Sequence, residues 1–218
     1  MSLKEEYFTS SNLDRKAGSF LAQLRRRNRI FIPEQSALLL IDLQDYFLKE
    51  TSPAFVPSLK AILPRILKLR DCFLEKSRPV ILTRHLDDPQ SGMMAEWWGN
   101  SMLARDPLTE LARQIVVKGL PIIKKSQYDA FYRTSLERQL RKLGVKQLVV
   151  SGVMTNVCCD TTARSAFVRG FEVFFPVDAN AAYNEQFHLS SLINLAYGFV
   201  EPVLFKELAA ALGGLNDQ

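Results

Sequence analysis

A chain of 218 residues that is 47% hydrophobic and 23% charged can bury a core of ordinary size, and one domain is the default expectation. Three cysteines, two of them neighbours at Cys158 and Cys159, exclude the disulfide framework of small secreted domains. With no run of eighteen uncharged apolar residues and no leader-like N-terminus, the expected compartment is the cytoplasm.

The net charge of +5 owes much to Arg25, Arg26, Arg27 and Arg29. Stacking aromatics are not interleaved with them, so the cluster reads as a solvated helix face, and neither nucleic acid nor a membrane is expected as partner. Residues 1–33, polar, basic and broken by Gly18 and Pro33, are expected to form an N-terminal arm or short helix laid on the surface or on a neighbouring subunit. Residues 34–218 then form the domain proper. Ala37 to Ile41 is a continuous apolar run ending at Asp42, as strands buried on both faces of a parallel sheet read. Similar runs at 79–83, 147–151, 172–177 and 200–205, with a weaker one at Ile122 and Ile123, predict about six strands.

Helical patterns lie between them. Leu59, Ile62, Leu63, Ile66, Leu67 and Phe73 mark one apolar face, opened by Pro57 and expected to kink at Pro64. Thr134 as N-cap and Glu137 three residues on predict a helix that stops at Gly144. Two more are expected, from about Cys158 to Val168 and from His188 to Tyr197. Alternating strands and helices imply parallel pairing through right-handed crossovers, hence an α/β fold: a three-layer α/β/α sandwich.

Ligands of an open parallel sheet bind beyond the carboxyl ends of its strands. Asp42 stands at one such end, where an aspartate serves either as a cap or as a catalyst. Cys158 falls near a helix start after the strand breaks at Gly152; there backbone N–H groups favour a thiolate and can hold an oxyanion. The alternative for Cys158 is a small buried hydrophobe, the part assigned to Cys159 and Cys72. Lys124 and Lys125 end a third strand, either solvated or with one ammonium turned into the crevice.

Taken in order, Leu40-Ile41-Asp42-Leu43-Gln44, Lys125-Ser126-Gln127-Tyr128-Asp129-Ala130-Phe131 and Gly152-Val153-Met154-Thr155-Asn156-Val157-Cys158 resemble the isochorismatase-like (cysteine hydrolase) family over roughly residues 36 to 205. The resemblance implies a six-stranded, mainly parallel, Rossmann-like sheet, catalysis by Asp42, Lys125 and Cys158, a cis peptide before Met154, and an oxyanion hole of the Met154 and Cys158 amides. It implies no cofactor, a small-molecule substrate met by Phe47, His85, Trp98, Tyr128 and Thr155, and a homo-oligomer, dimer or tetramer. Asp129 departs from the family's usual serine and could compete for Lys125.

On that resemblance the expected activity is cysteine-nucleophile hydrolysis of a C–N bond in a small amide, carbamoyl or ureido compound. Vinyl-ether hydrolysis of isochorismate is the alternative, supported by Trp98-Gly99 and the run from Phe131 to Glu137 but opposed by Cys158. A non-catalytic binding protein on the same fold is the third reading. Nicotinamidase is disfavoured, because that subgroup adds a metal cluster of aspartate and histidine, whereas this chain has only His85 and His188; no metal is expected.

Overall fold

The computed structural model describes residues 3–88, 92–99 and 102–214. In chain order the strands are β1 (Ser36–Ile41), β2 (Val80–His85), β3 (Ile122–Lys125), β4 (Gln147–Val153), β5 (Glu172–Pro176), β6 (Asn180–Ala181) and β7 (Glu201–Val203). The helices are α1 (Leu13–Leu21), α2 (Asp45–Leu48), α3 (Leu59–Glu75), α4 (Met93–Trp98), α5 (Leu136–Lys142), α6 (Asp160–Val168), α7 (Glu185–Gly198) and α8 (Phe205–Ala211). Strand order is β3-β2-β1-β4-β5-β7, all parallel.

The apolar runs became strands for the reason the pattern suggests: every residue of β1 and β4 is buried, and both-sided burial requires unbroken hydrophobicity. Right-handed crossovers send α3 to one face of the sheet and α6 and α7 to the other. The chain reverses direction at β1, so the topological switch point falls between β1 and β4, at the strand ends carrying Asp42 and Gly152.

Several local expectations shift. The α3 helix runs through Pro64 as one α-helix. The helix cap read at Thr134 lies one residue later, at Ser135, although the Thr134 hydroxyl still accepts from Leu136 N at 3.2 Å. A two-residue strand that no periodicity could signal, β6, pairs with the end of β4 where β5 has diverged, and the Asn180 side-chain amide donates to Val150 O (3.1 Å) and Pro176 O (2.8 Å) to span the gap.

The N-terminal segment forms the short helix α1 and is anchored by buried side chains. Tyr7, Phe8, Leu13 and Phe20 are buried in the main core, and rings of Tyr7, Phe8 and Phe20 surround His188 at centroid distances of 5.3, 5.4 and 5.8 Å. The arginine cluster is not a helix face, since α1 ends at Leu21. Arg26 pairs with Glu201 and Glu207, Arg29 with Glu172, and the Arg27 guanidinium donates to Ala196 O and Tyr197 O. Arg25 lies 5.9 Å from the Tyr197 ring.

Gly152 is where the switch point closes. Its φ of +133° is unfavourable for other residues, and an added Cβ would stand 2.2 Å from Ile41 O, a backbone atom that cannot step aside. Gly152→Ala is therefore expected to destabilise the protein by at least about 3 kcal/mol. Urea denaturation measures this; a loss below 1 kcal/mol would mean that the strands can separate at little cost.

Candidate active site

Asp42, His85 and Lys125 arrive at the ends of three neighbouring strands, and Cys158 follows the fourth. Asp42 has a φ of +49°, a left-handed conformation that aspartate tolerates better than most residues. Its N–H donates to Thr83 Oγ1 at 3.0 Å, and the Thr83 hydroxyl returns a bond to Asp42 Oδ1 at 2.6 Å. Asp42 Oδ2 lies 2.7 Å from the Lys125 ammonium, both side chains being sealed from solvent.

The ammonium also donates to Cys158 Sγ (3.3 Å), His85 Nδ1 (3.3 Å) and Gln127 O (3.0 Å). Asp42, His85 and Cys158 present ligand-type atoms within 4.8 Å of one another, but Lys125 stands among them: the place a cation would take holds an ammonium.

Cys158 belongs to a single π-helical turn, Thr155–Cys159, that leads into α6, an irregularity frequent at functional sites. Met154, joined to Val153 by a cis peptide, caps the turn with its carbonyl, which accepts from Val157 N and Cys159 N, both at 3.2 Å.

Burial pushes the Cys158 thiol up to about 12, the opposing pull of Lys125 notwithstanding. Burial also works against an ionised Asp42, yet the Lys125 ammonium, with His85 and the Thr83 hydroxyl, holds that carboxyl below its ordinary value. Lys125 is raised despite its burial, chiefly by the Asp42 carboxylate. The resting site thus holds carboxylate, ammonium and protonated thiol: the helix-start argument for a standing thiolate is overruled by desolvation.

Above the sulfur opens a cleft of about 80 Å³, far below the several hundred Å³ of pockets for drug-sized ligands. Phe47, His85, Trp98 and Tyr128 line it together with Met154, and so do Tyr46, Met94, Met102 and Tyr183, which the motifs did not point to. Trp98 Nε1 donates to the Tyr128 hydroxyl at 2.6 Å across its mouth. In the aromatic stretch from Trp97 to Met102, Trp97 is 72% exposed and Met102 buried, while Asn100 and Ser101 lie outside the described residues.

Thr155 does not line the cleft. It is fully buried away from the cleft, bonded through Oγ1 to His188 Nδ1 at 2.8 Å. His188 Nε2 in turn meets Val177 O at 3.1 Å, and burial lowers this imidazole to about 3, so it is neutral and structural. Asp129 does not reach Lys125 either: it accepts from Phe131 N (2.8 Å) and Ser165 Oγ (2.7 Å), tying the turn to α6.

Two residues to which the sequence assigned no role complete the surroundings of His85. Gln44 brackets its backbone, donating to His85 O at 2.9 Å and accepting from His85 N at 2.8 Å. Asp87 Oδ1 meets His85 Nε2 at 2.9 Å. The signal for Asp87 was the His-x-Asp spacing at a strand end.

A larger cavity of about 520 Å³ opens at the opposite, N-terminal edge of β5 and β7. Its arginines, Arg27 and Arg29, are already engaged, and none of the triad reaches it. Cys158 opens instead into the smaller cleft.

The family model of the isochorismatase domain matches residues 36–206. Nicotinamidase 3 of Arabidopsis thaliana is 40% identical over 185 residues, covering 82% of this chain and 89% of that protein. Enterobactin synthase component B of Escherichia coli (strain K12) is 32% identical over 190 residues, covering 83% of this chain but 65% of that longer protein. A crystal structure of a cysteine hydrolase from Pseudomonas syringae pv. phaseolicola 1448A superposes with a TM-score of 0.82 at 28% identity, covering 87% of this chain and 97% of that one.

Proposed function

We propose, from the premise that this chain belongs to the isochorismatase family of hydrolases, that it hydrolyses the C–N bond of a small, neutral, planar amide through Cys158, with nicotinamide the first compound to test. The observation that carries this reading is the convergence of sulfur, ammonium and carboxylate at 3.3 and 2.7 Å beneath a narrow cleft. The 40% identity to Nicotinamidase 3 supports amide chemistry.

In the first step the Cys158 proton passes to Asp42 as sulfur bonds to the carbonyl carbon. The oxyanion is held by the Met154 and Cys158 amides, and Lys125 offsets the charges that develop on sulfur and oxygen. Collapse of the adduct breaks the C–N bond, Asp42 giving its proton to the departing amine. Water then attacks the thioester carbonyl as Asp42 takes its proton; collapse of that adduct breaks the C–S bond, Asp42 returns the proton to sulfur, and the carboxylic acid departs, leaving carboxylate and thiol as they began. With the thiol raised and the carboxyl lowered, the proton rests on sulfur until attack, so Asp42 works as a base within that step.

Isochorismate, a dicarboxylate, fits less well. Among the described residues no arginine or lysine lines the cleft, and a buried carboxylate needs a charged partner. Three free thiols support a reducing, cytoplasmic setting, and the exposed Phe167, Val168, Ile193 and Tyr197 of α6 and α7 support a homo-oligomer. Purified protein is to be assayed for ammonia release from nicotinamide, benzamide and ureido acids, and for pyruvate release from isochorismate. Ammonia from the neutral amides is the expected result, and pyruvate at the higher kcat/KM would overturn the reading.

A further inference from the structure

We propose that His85 and Asp87 act as a positioning pair that fixes the Lys125 ammonium over the triad, and that Asp87 couples this pair to the Met102 segment of the cleft wall. The inference rests on the reading of Lys125 as part of the catalytic centre.

An ammonium has protons to give and no lone pair. Its contact with His85 Nδ1 at 3.3 Å therefore requires Nδ1 to be bare, which puts the ring proton of the neutral imidazole on Nε2. Asp87 Oδ1, 2.9 Å from Nε2, is an acceptor that selects this tautomer. The other tautomer would aim an N–H at the ammonium and leave Asp87 facing a lone pair.

The pair is held from both sides. Gln44 fixes the His85 backbone, while Asp87 Oδ2 accepts from Met102 N at 2.9 Å and Asp87 N donates to Met102 O at 2.9 Å. Met102 lines the cleft, so a displacement of that wall on substrate entry is transmitted through one carboxylate and one ring to the ammonium. His85, first read as a substrate contact, thus acts through Lys125. Sulfur itself faces Lys125 from β3, Asp42 from β1, His85 from β2, and Tyr128; Cys159 and Asp160 adjoin it on its own helix.

The variants Asp87→Asn, His85→Asn and His85→Leu test the proposal by steady-state kinetics and by the pH dependence of Cys158 alkylation with iodoacetamide. An asparagine at 87 cannot accept from both His85 and Met102 N while keeping its amide donors satisfied. Asp87→Asn is expected to lower kcat about 10- to 100-fold, as loss of an orienting partner does, with KM within about twofold. It is also expected to move the alkylation profile to higher pH, because a wandering ammonium no longer assists ionisation of the thiol.

His85→Asn keeps an acceptor near the place of Nδ1 and is expected to retain about tenfold more kcat than His85→Leu. An Asp87→Asn protein with the parent's kcat and alkylation profile, or one changed in KM alone, overturns the proposal. If Asp87→Asn does not fold, equal kcat and equal alkylation profiles in the two His85 variants overturn it. Alkylation needs no substrate, so it decides on the pair even if the parent protein hydrolyses none of the amides assayed. Turnover with unshifted profiles leaves the amide reading standing and removes the pair.

Discussion

Cys158→Ala is expected to lower kcat/KM for amide hydrolysis roughly 10⁴-fold or more, with stability changed by only about 1 kcal/mol. The sulfur makes the one covalent bond of the proposed path, and neither Asp42 nor Lys125 can replace it as nucleophile in so small a cleft. The side chain is almost enclosed, at 7% exposure, but its thiol is pushed up to about 12, so the change removes no buried charge from the resting protein. Ammonia release by the alanine variant at a rate near the parent's would refute the thioester. Pyruvate release from isochorismate, if the parent protein shows any, is expected to survive the substitution, since acid-catalysed vinyl-ether cleavage needs Asp42 and no thiol.

Lys125→Met is expected to cost about 3–5 kcal/mol of folding stability at pH 7, the usual penalty for removing one member of a buried ion pair. In the parent, the Asp42 carboxyl lies below its unfolded value of 3.8. Its contribution to stability is therefore complete above that value and is lost as pH falls through the folded one. Without Lys125 the sign reverses, because burial is the largest influence on Asp42 and raises it. The carboxyl would bind a proton on folding, and stability would decline as pH rises from 4 through the new folded value.

The deficit relative to the parent is thus expected to be largest at neutral pH and to narrow toward pH 4. Urea denaturation at pH 4, 5.5 and 7 measures it, and a deficit independent of pH would show that the loss is one of packing. Asp42→Asn combined with Lys125→Met is expected to recover much of the stability and none of the activity.

Much of this was legible in the sequence because burial on both faces writes itself as unbroken apolar runs, and because strand ends in a parallel sheet converge at one edge. Asp42 and Lys125 could be set at such ends from Ile41 and Ile123 alone, and the ordered motifs brought in Cys158. The remainder depends on contacts that leave no period. His85 could be placed beside the cleft from its strand end, but its contacts with Lys125 and Asp87 join residues of different elements and leave no signal in the sequence. Thr155, three positions before Cys158, turns instead to His188, a contact between distant elements that the motif could not show. Tyr7 and Phe8 sit in a polar stretch whose composition hides two anchors. The thiolate expected at a helix start gave way to a thiol, because sequence shows the dipole but not the depth of burial.

The rings that enclose His188 bear on the nucleophile at one remove. That imidazole braces Thr155, and Thr155 opens the turn whose fourth residue is Cys158, the proposed nucleophile. Residues ahead of the first strand therefore furnish part of the floor on which the chemistry stands: a version of this enzyme pared down to its sheet and crossovers would leave the brace exposed to water and the sulfur on an unsupported turn.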